Sequence, residues 1–186
     1  MAITQDRLTL EEFLKLPERK PALEFENGTV IQKVSPKLRH SALQGELVER
    51  INRFARPKKL ARAFPELRTT FGGFSRVPDV AVYLWERIPR DANGEFADDC
   101  REPPDIAIEI VSPGQGVNAL VRRCLLYVEH GLRIAALVDP GDRSVIVFRP
   151  DSRTSALRGA ESIDFGDVTP GLRIPVEELF ASLSGR

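Results

Sequence analysis

Along this chain the spacing of apolar positions changes several times, and each change marks an element. Thr9-Leu-Glu-Glu, with Glu12 three residues after Thr9, is a capping box that opens a short helix ended by Pro17. Strand-like runs at 22–26 and 29–34 flank Asn27-Gly28, a dipeptide whose tolerance of positive φ predicts a tight hairpin. Leu43, Leu47, Ile51 and Phe54 then recur at helical spacing within 38–54, with His40 on the same stripe and Pro57 closing the element. Short strands are predicted at 60–64, 67–71 and 79–84, and the polar, Pro-containing stretch 86–103 reads as a loop or excursion.

The run 106–111 is almost continuously apolar and only Glu109 interrupts it, which predicts a central strand covered on both faces. Ser112-Pro-Gly-Gln-Gly breaks the pattern. Val117, Leu120, Val121, Cys124 and Val128 mark one face of a second long helix, with Gly131 as its C-cap. Strands at 132–138 and 144–149 flank the turn Asp139-Pro-Gly-Asp-Arg, and 150–186 is a loop-rich tail with a short helix at 176–183. The resulting class is α/β, a mixed sheet with flanking helices preceded by an N-terminal helix and hairpin.

At 186 residues the chain is long enough for one well-buried core and short for two, so 1–186 is read as a single domain. Lys plus Arg and Asp plus Glu number 27 each, which removes global electrostatic attraction to nucleic acid and leaves local patches to supply it. One such patch is Arg50, Arg53, Arg56, Lys58, Lys59 and Arg62, a run with no acid between its members; it is a solvated surface or a nucleic-acid contact. Cys100 and Cys124 lack metal-type spacing, and no stretch approaches the roughly 20 apolar residues of a membrane span. A soluble protein of the reducing cytoplasm is expected.

The candidate chemistry lies in acids set among apolar residues. Asp79 in Val-Pro-Asp and Glu109 in Ile-Ala-Ile-Glu-Ile-Val each place a carboxylate where burial costs several kcal/mol unless it is paired or binds a metal. A shared divalent cation would satisfy both, and hard oxygen ligands suit Mg²⁺ or Mn²⁺ better than zinc. A buried salt bridge of Glu109, with Arg123 itself as the partner, competes nearly evenly. Glu24 and Glu26 alternate on one strand and share a face, so either could point inward. His40 reads as a core or helix-start histidine or as a site-edge residue, with Arg39 beside it able to meet a phosphate at the helix start.

Leu8-Thr-Leu-Glu-Glu-Phe, Leu23-Glu-Phe-Glu-Asn-Gly-Thr-Val, Ser35-Pro-Lys-Leu-Arg-His, Arg76-Val-Pro-Asp-Val-Ala, Pro104-Asp-Ile-Ala-Ile-Glu-Ile-Val-Ser-Pro, Tyr127 before the Gly131 turn, Val138-Asp-Pro and Pro170-Gly-Leu occur in this order across about the whole chain. The ordered set resembles the Uma-two family, a large bacterial family of restriction-endonuclease-like proteins. That resemblance implies the PD-(D/E)XK nuclease fold and metal-assisted phosphodiester hydrolysis in DNA; because a duplex has two strands and each subunit one site, a two-fold homodimer is expected. Asp79 and Glu109 would hold Mg²⁺ or Mn²⁺, and Glu24 matches the family's third acid. Arg39, His40, Arg53 and Tyr127 are nucleic-acid contact candidates.

The chain departs from the family pattern in two respects. Nucleases of this fold usually carry a lysine two residues after the second acid or on the following helix; here the first position is Val111 and the second is Arg123, four residues before Tyr127. Arginine keeps the charge and binds phosphate bidentately but does not readily give up a proton. The alternative that follows is a catalytically inactive nuclease fold that binds nucleic acid or serves as an oligomeric structural partner. Ile134-Ala-Ala stands where the family commonly has an aromatic residue, a difference assigned to packing.

Overall fold

The computed structural model describes residues 8–184. Helix α1 (Leu10–Leu14) starts at the capping box as expected: the Glu12 N–H donates to Thr9 Oγ1 at 3.2 Å and the Thr9 N–H to Glu12 Oε2 at 2.8 Å. Strands β1 (Leu23–Glu26) and β2 (Thr29–Gln32) pair antiparallel about Asn27 and Gly28, both at positive φ. Helix α2 (Leu38–Ala55) buries His40, Leu43, Leu47, Ile51 and Ala55, a stripe of three- and four-residue steps.

Strands β3 (Ala61–Pro65), β4 (Thr69–Phe71), β5 (Phe74–Arg76) and β6 (Val80–Leu84) follow, then β7 (Ile106–Ile110) after the predicted excursion. Helix α3 (Val117–Glu129) connects β7 to β8 (Ile134–Asp139), and β9 (Ser144–Phe148) returns antiparallel. The tail is more ordered than its sequence suggests. It forms β10 (Thr154–Arg158), β11 (Ser162–Asp164), β12 (Arg173–Pro175) and α4 (Val176–Ala181). Both β5 and these tail strands escape the sequence pattern because they are three to five residues long, too short to set up a clear periodicity of their own.

A six-stranded mixed sheet in the order β10-β9-β8-β7-β6-β3 forms the centre, with β7 and β8 its parallel pair. A four-stranded antiparallel sheet, β2-β1-β5-β4, stands beside it, and β11 pairs with β12. All five residues of β7 are buried, so the expectation of a strand covered on both faces holds. Ile106, Ile108 and Ile110 pack with Leu43, Leu47 and Ile51 of α2, while Ala107 packs with Leu120, Cys124 and Tyr127 of α3. Period-two alternation therefore turns Glu109 away from the large α2 core and toward α3.

Candidate active site

Three acids from distant parts of the chain converge on a cavity of about 160 Å³. Glu24 comes from β1, Asp79 from the residue before β6, and Glu109 from β7. Continuing the β6–β7 register, Val80 opposite Ile108, by one residue sets Asp79 opposite Glu109. All three are 3% exposed or less, a degree of burial that demands partners.

Asp79 is held on both oxygens. Lys33 Nζ donates to Oδ1 at 2.8 Å, the Ile110 N–H donates to Oδ2 at 2.7 Å, and His40 Nε2 lies 3.0 Å from Oδ2. The Gln44 amide also donates to the Asp79 carbonyl at 2.8 Å, anchoring the backbone to α2. Burial pushes the Asp79 carboxyl upward, but the His40 hydrogen bond and the Lys33 charge outweigh it and hold it below the ordinary range. For Lys33, burial works against the charged form, yet Asp79 and Glu109 raise its proton affinity above the usual value.

Glu24 accepts the Val77 N–H on Oε1 at 2.9 Å and is clasped by Arg123, whose Nη2 lies 2.7 Å from Oε2 and Nη1 3.2 Å from Oε1. Arg76 Nη1 lies 3.4 Å from the same carboxylate and its Nη2 is 2.6 Å from Glu26, so the partly exposed Glu26 is taken up outside the cavity. Glu109 Oε1 accepts the Tyr127 hydroxyl at 2.7 Å and Arg123 Nη1 at 3.4 Å. Burial, opposed by Arg123, pushes the Glu109 carboxyl upward, and burial likewise pushes up the Tyr127 hydroxyl.

The structure thus gathers Glu24, Asp79, Glu109, Arg123, His40 and Tyr127 in one place. His40 is central and not peripheral. Arg39 is exposed beside a second, adjoining cavity, whereas Arg53 is elsewhere: thirteen residues along α2 from His40 amount to about 20 Å of helix. Its basic run is also largely occupied, since Arg50 pairs with Glu46 and Glu178, Arg53 with Glu49, and Lys58 sits over the Phe54 ring. Acids absent from the run itself arrive one helical turn earlier and from α4.

Lys33 is the pocket residue that the sequence pattern missed. Its signal was present in the hairpin register: Glu24 faces Ile31, and the Lys33 N–H reaches the Ala22 carbonyl at 2.9 Å, so Lys33 shares the face of Glu24. A lysine beside the acids is therefore present although positions 111 and 123 lack one. Among the described residues, no group of three or more His, Cys, Asp and Glu side chains is arranged as a metal cluster. Arg123 separates Glu24 from Glu109, and Lys33 occupies one oxygen of Asp79. No helix among the described residues is long and apolar enough to cross a membrane.

No curated protein sequence matches the chain. The crystal structure of a protein from Anabaena variabilis ATCC 29413, described as "a putative nuclease belonging to DUF820", is 41% identical and superposes with a TM-score of 0.91, covering 95% of this chain and 99% of that one. An alignment with the cryo-electron-microscopy structure of the DrdV–DNA complex spans 78% of this chain and 11% of that one at 11% identity and a TM-score of 0.40, too low to bear on fold or function. The order of acids and the core they are set in agree with a match over residues 10–177: the chain belongs to the Uma2 family, described as "Putative restriction endonuclease".

Proposed function

We propose that the protein is a metal-dependent endonuclease that hydrolyses phosphodiester bonds in DNA at the pocket of Glu24, Asp79 and Glu109. The observation that carries this reading is the convergence of three buried carboxylates with Lys33 and Arg123 in one small cavity. Carboxylate oxygens are the donors that a hard divalent ion takes. Among the described residues Glu109 Oε2 accepts no hydrogen bond, and with Arg76 shared with Glu26 the three carboxylates face only Lys33 and Arg123, which leaves one negative charge uncompensated. Asp79 and Glu109 would hold Mg²⁺ or Mn²⁺, which when bound polarises a phosphate oxygen and lowers the pKa of bound water.

The remaining chemistry belongs to the chain's own residues. Arg123, pre-oriented by Glu24, presents a fixed positive charge to the phosphate and to charge developing on it. Lys33 stays protonated beside Asp79 and stabilises negative charge without acting as a base. Tyr127 and His40 orient Glu109 and Asp79 respectively. The ion pairs Lys33–Asp79 and Arg123–Glu24 favour a second reading, an inactive nuclease fold in which these two acids are permanently engaged and only nucleic-acid binding or an oligomeric structural role survives. We further propose one domain throughout, a cytoplasmic location in keeping with the buried free thiols Cys100 and Cys124, and a homodimer so that two sites meet two strands.

Plasmid and single-stranded DNA are incubated with Mg²⁺ or Mn²⁺ and the wild type, Asp79→Ala or Arg123→Lys. Cleavage that Asp79→Ala abolishes is expected. An inert wild type whose Arg123→Lys variant cuts would assign the disabled reading, and inertness of all three would remove catalysis altogether.

A further inference from the structure

A larger cavity of about 540 Å³ adjoins the acid pocket and shares His40, Ser112 and Gln115 with it. The polar side chains free to meet a ligand there are chiefly donors. Gln115 Oε1 accepts the Ser112 N–H at 2.9 Å, which fixes the side chain and leaves the amide nitrogen free to donate. Lys37 and Arg39 stand exposed on its lining. Between them α2 begins without a side-chain cap and without an acid in its first turn, and its first backbone bond is the Ser41 N–H to the Lys37 carbonyl. The preceding N–H groups are thus open to an anion.

The His40 ring lines both cavities, with Nε2 at Asp79 and Nδ1 buried without a hydrogen-bond partner. Asp139, the one acid of the larger lining, is turned into its own loop, accepting the Gly141 and Asp142 N–H groups at 2.8 and 3.2 Å. The other walls are apolar, from Val111, Pro113 and Pro140 to Leu38, which is 86% exposed. A large aliphatic side chain held in water between two basic residues has no packing role in the isolated chain.

An electropositive rim, one fixed amide donor and apolar walls match a nucleotide, with its phosphate at the α2 start and its base against Leu38 and Gln115. We propose that this cavity takes one unpaired nucleotide of the DNA strand next to the scissile phosphate, so that the substrate is single-stranded or locally unpaired DNA. A base stacked in continuous duplex cannot enter a recess of this kind. The inference rests on placing the scissile phosphate at the acid pocket, and it is compatible with two copies acting on an opened duplex.

The test is fluorescence anisotropy in EDTA with a short labelled oligothymidylate, alone or paired with oligoadenylate, and with the wild type, Leu38→Glu and Gln115→Leu. Leu38 is exposed, so its replacement leaves the fold intact. Expected are single-strand binding at least about tenfold tighter than duplex binding and a loss of about tenfold in each variant for the single strand alone. Equal or tighter duplex binding, or variants that leave single-strand binding unchanged, would overturn the proposal. So would competition by micromolar dTMP, which would reassign the cavity to a free nucleotide. Asp79-dependent cleavage of duplex with neutral variants sinks only this inference; cavity-dependent binding with no cleavage of any DNA sinks only the nuclease reading.

Discussion

Glu109 shows how one buried side chain decides between chemistry and structure. Its contact with Arg123, at 3.4 Å, is looser than the 2.7 Å contact of Arg123 with Glu24, so Arg123 stays paired if Glu109 loses its charge. Glu109→Gln retains an acceptor for the Tyr127 hydroxyl and removes a carboxylate that burial disfavours. The variant is therefore expected to be more stable than the wild type by roughly 1 kcal/mol, a rise of about 2–4 °C in Tm, while losing cleavage. A fall in Tm by calorimetry would show that the Glu109–Arg123 pair is the reason for the acid.

Lys33 carries the opposite expectation. Its replacement in Lys33→Met strands Asp79 with a lost counter-ion in a buried site, costing about 3 kcal/mol. The Asp79 carboxyl is held below its ordinary value, so its stabilisation is present above the unfolded pKa of about 3.9 and is lost as pH falls through the folded value. Without Lys33 that loss begins at higher pH. Urea melts across an acid series would check both the size and the direction; a variant as stable as the wild type throughout would exclude the ion pair as a stabilising feature.

Among the elements, those with a long periodic pattern or a strong cap or turn signal were legible and the shortest strands, defined by their pairing, were not. The capping box, the Asn27-Gly28 hairpin and the long helices follow from residues within a few positions of each other. Strand β11 exists because Ile163 pairs with Ile174, and β10, mostly exposed, follows the register of β9. The β4–β5 hairpin had a signal in Gly72-Gly73, both at positive φ, between Phe71 and Phe74. A Cβ at Gly72 would stand 2.3 Å from His130 Cδ2, at the end of α3. Gly72→Ala is expected to cost about 2 kcal/mol from left-handed strain and this clash together. In a His130→Ala background the clash portion of that cost should disappear; an unchanged penalty in denaturant melts would assign it to the backbone alone.

For the whole molecule, a balance of 27 basic and 27 acidic residues means that any grip on nucleic acid is local. With Lys37 and Arg39 supplying two contacts and Arg123 a third, single-strand affinity should fall with a log–log salt slope of about −1.4 to −2.1. Titration of binding against NaCl would measure it, and a slope steeper than about −4 would bring the Arg50–Arg62 run back into the interface. By itself the sequence determined the helices, the first hairpin, the buried central strand and the ordered family motifs that single out Glu24, Asp79 and Glu109, because local spacing and burial cost are properties of neighbouring residues. Only the tertiary structure decided which cation meets which acid. Lys33 and Arg123 are 90 positions apart in the sequence and reach the same pocket through a hairpin register and a helix crossing, and charges are paired by distance in space, which the order of residues does not contain.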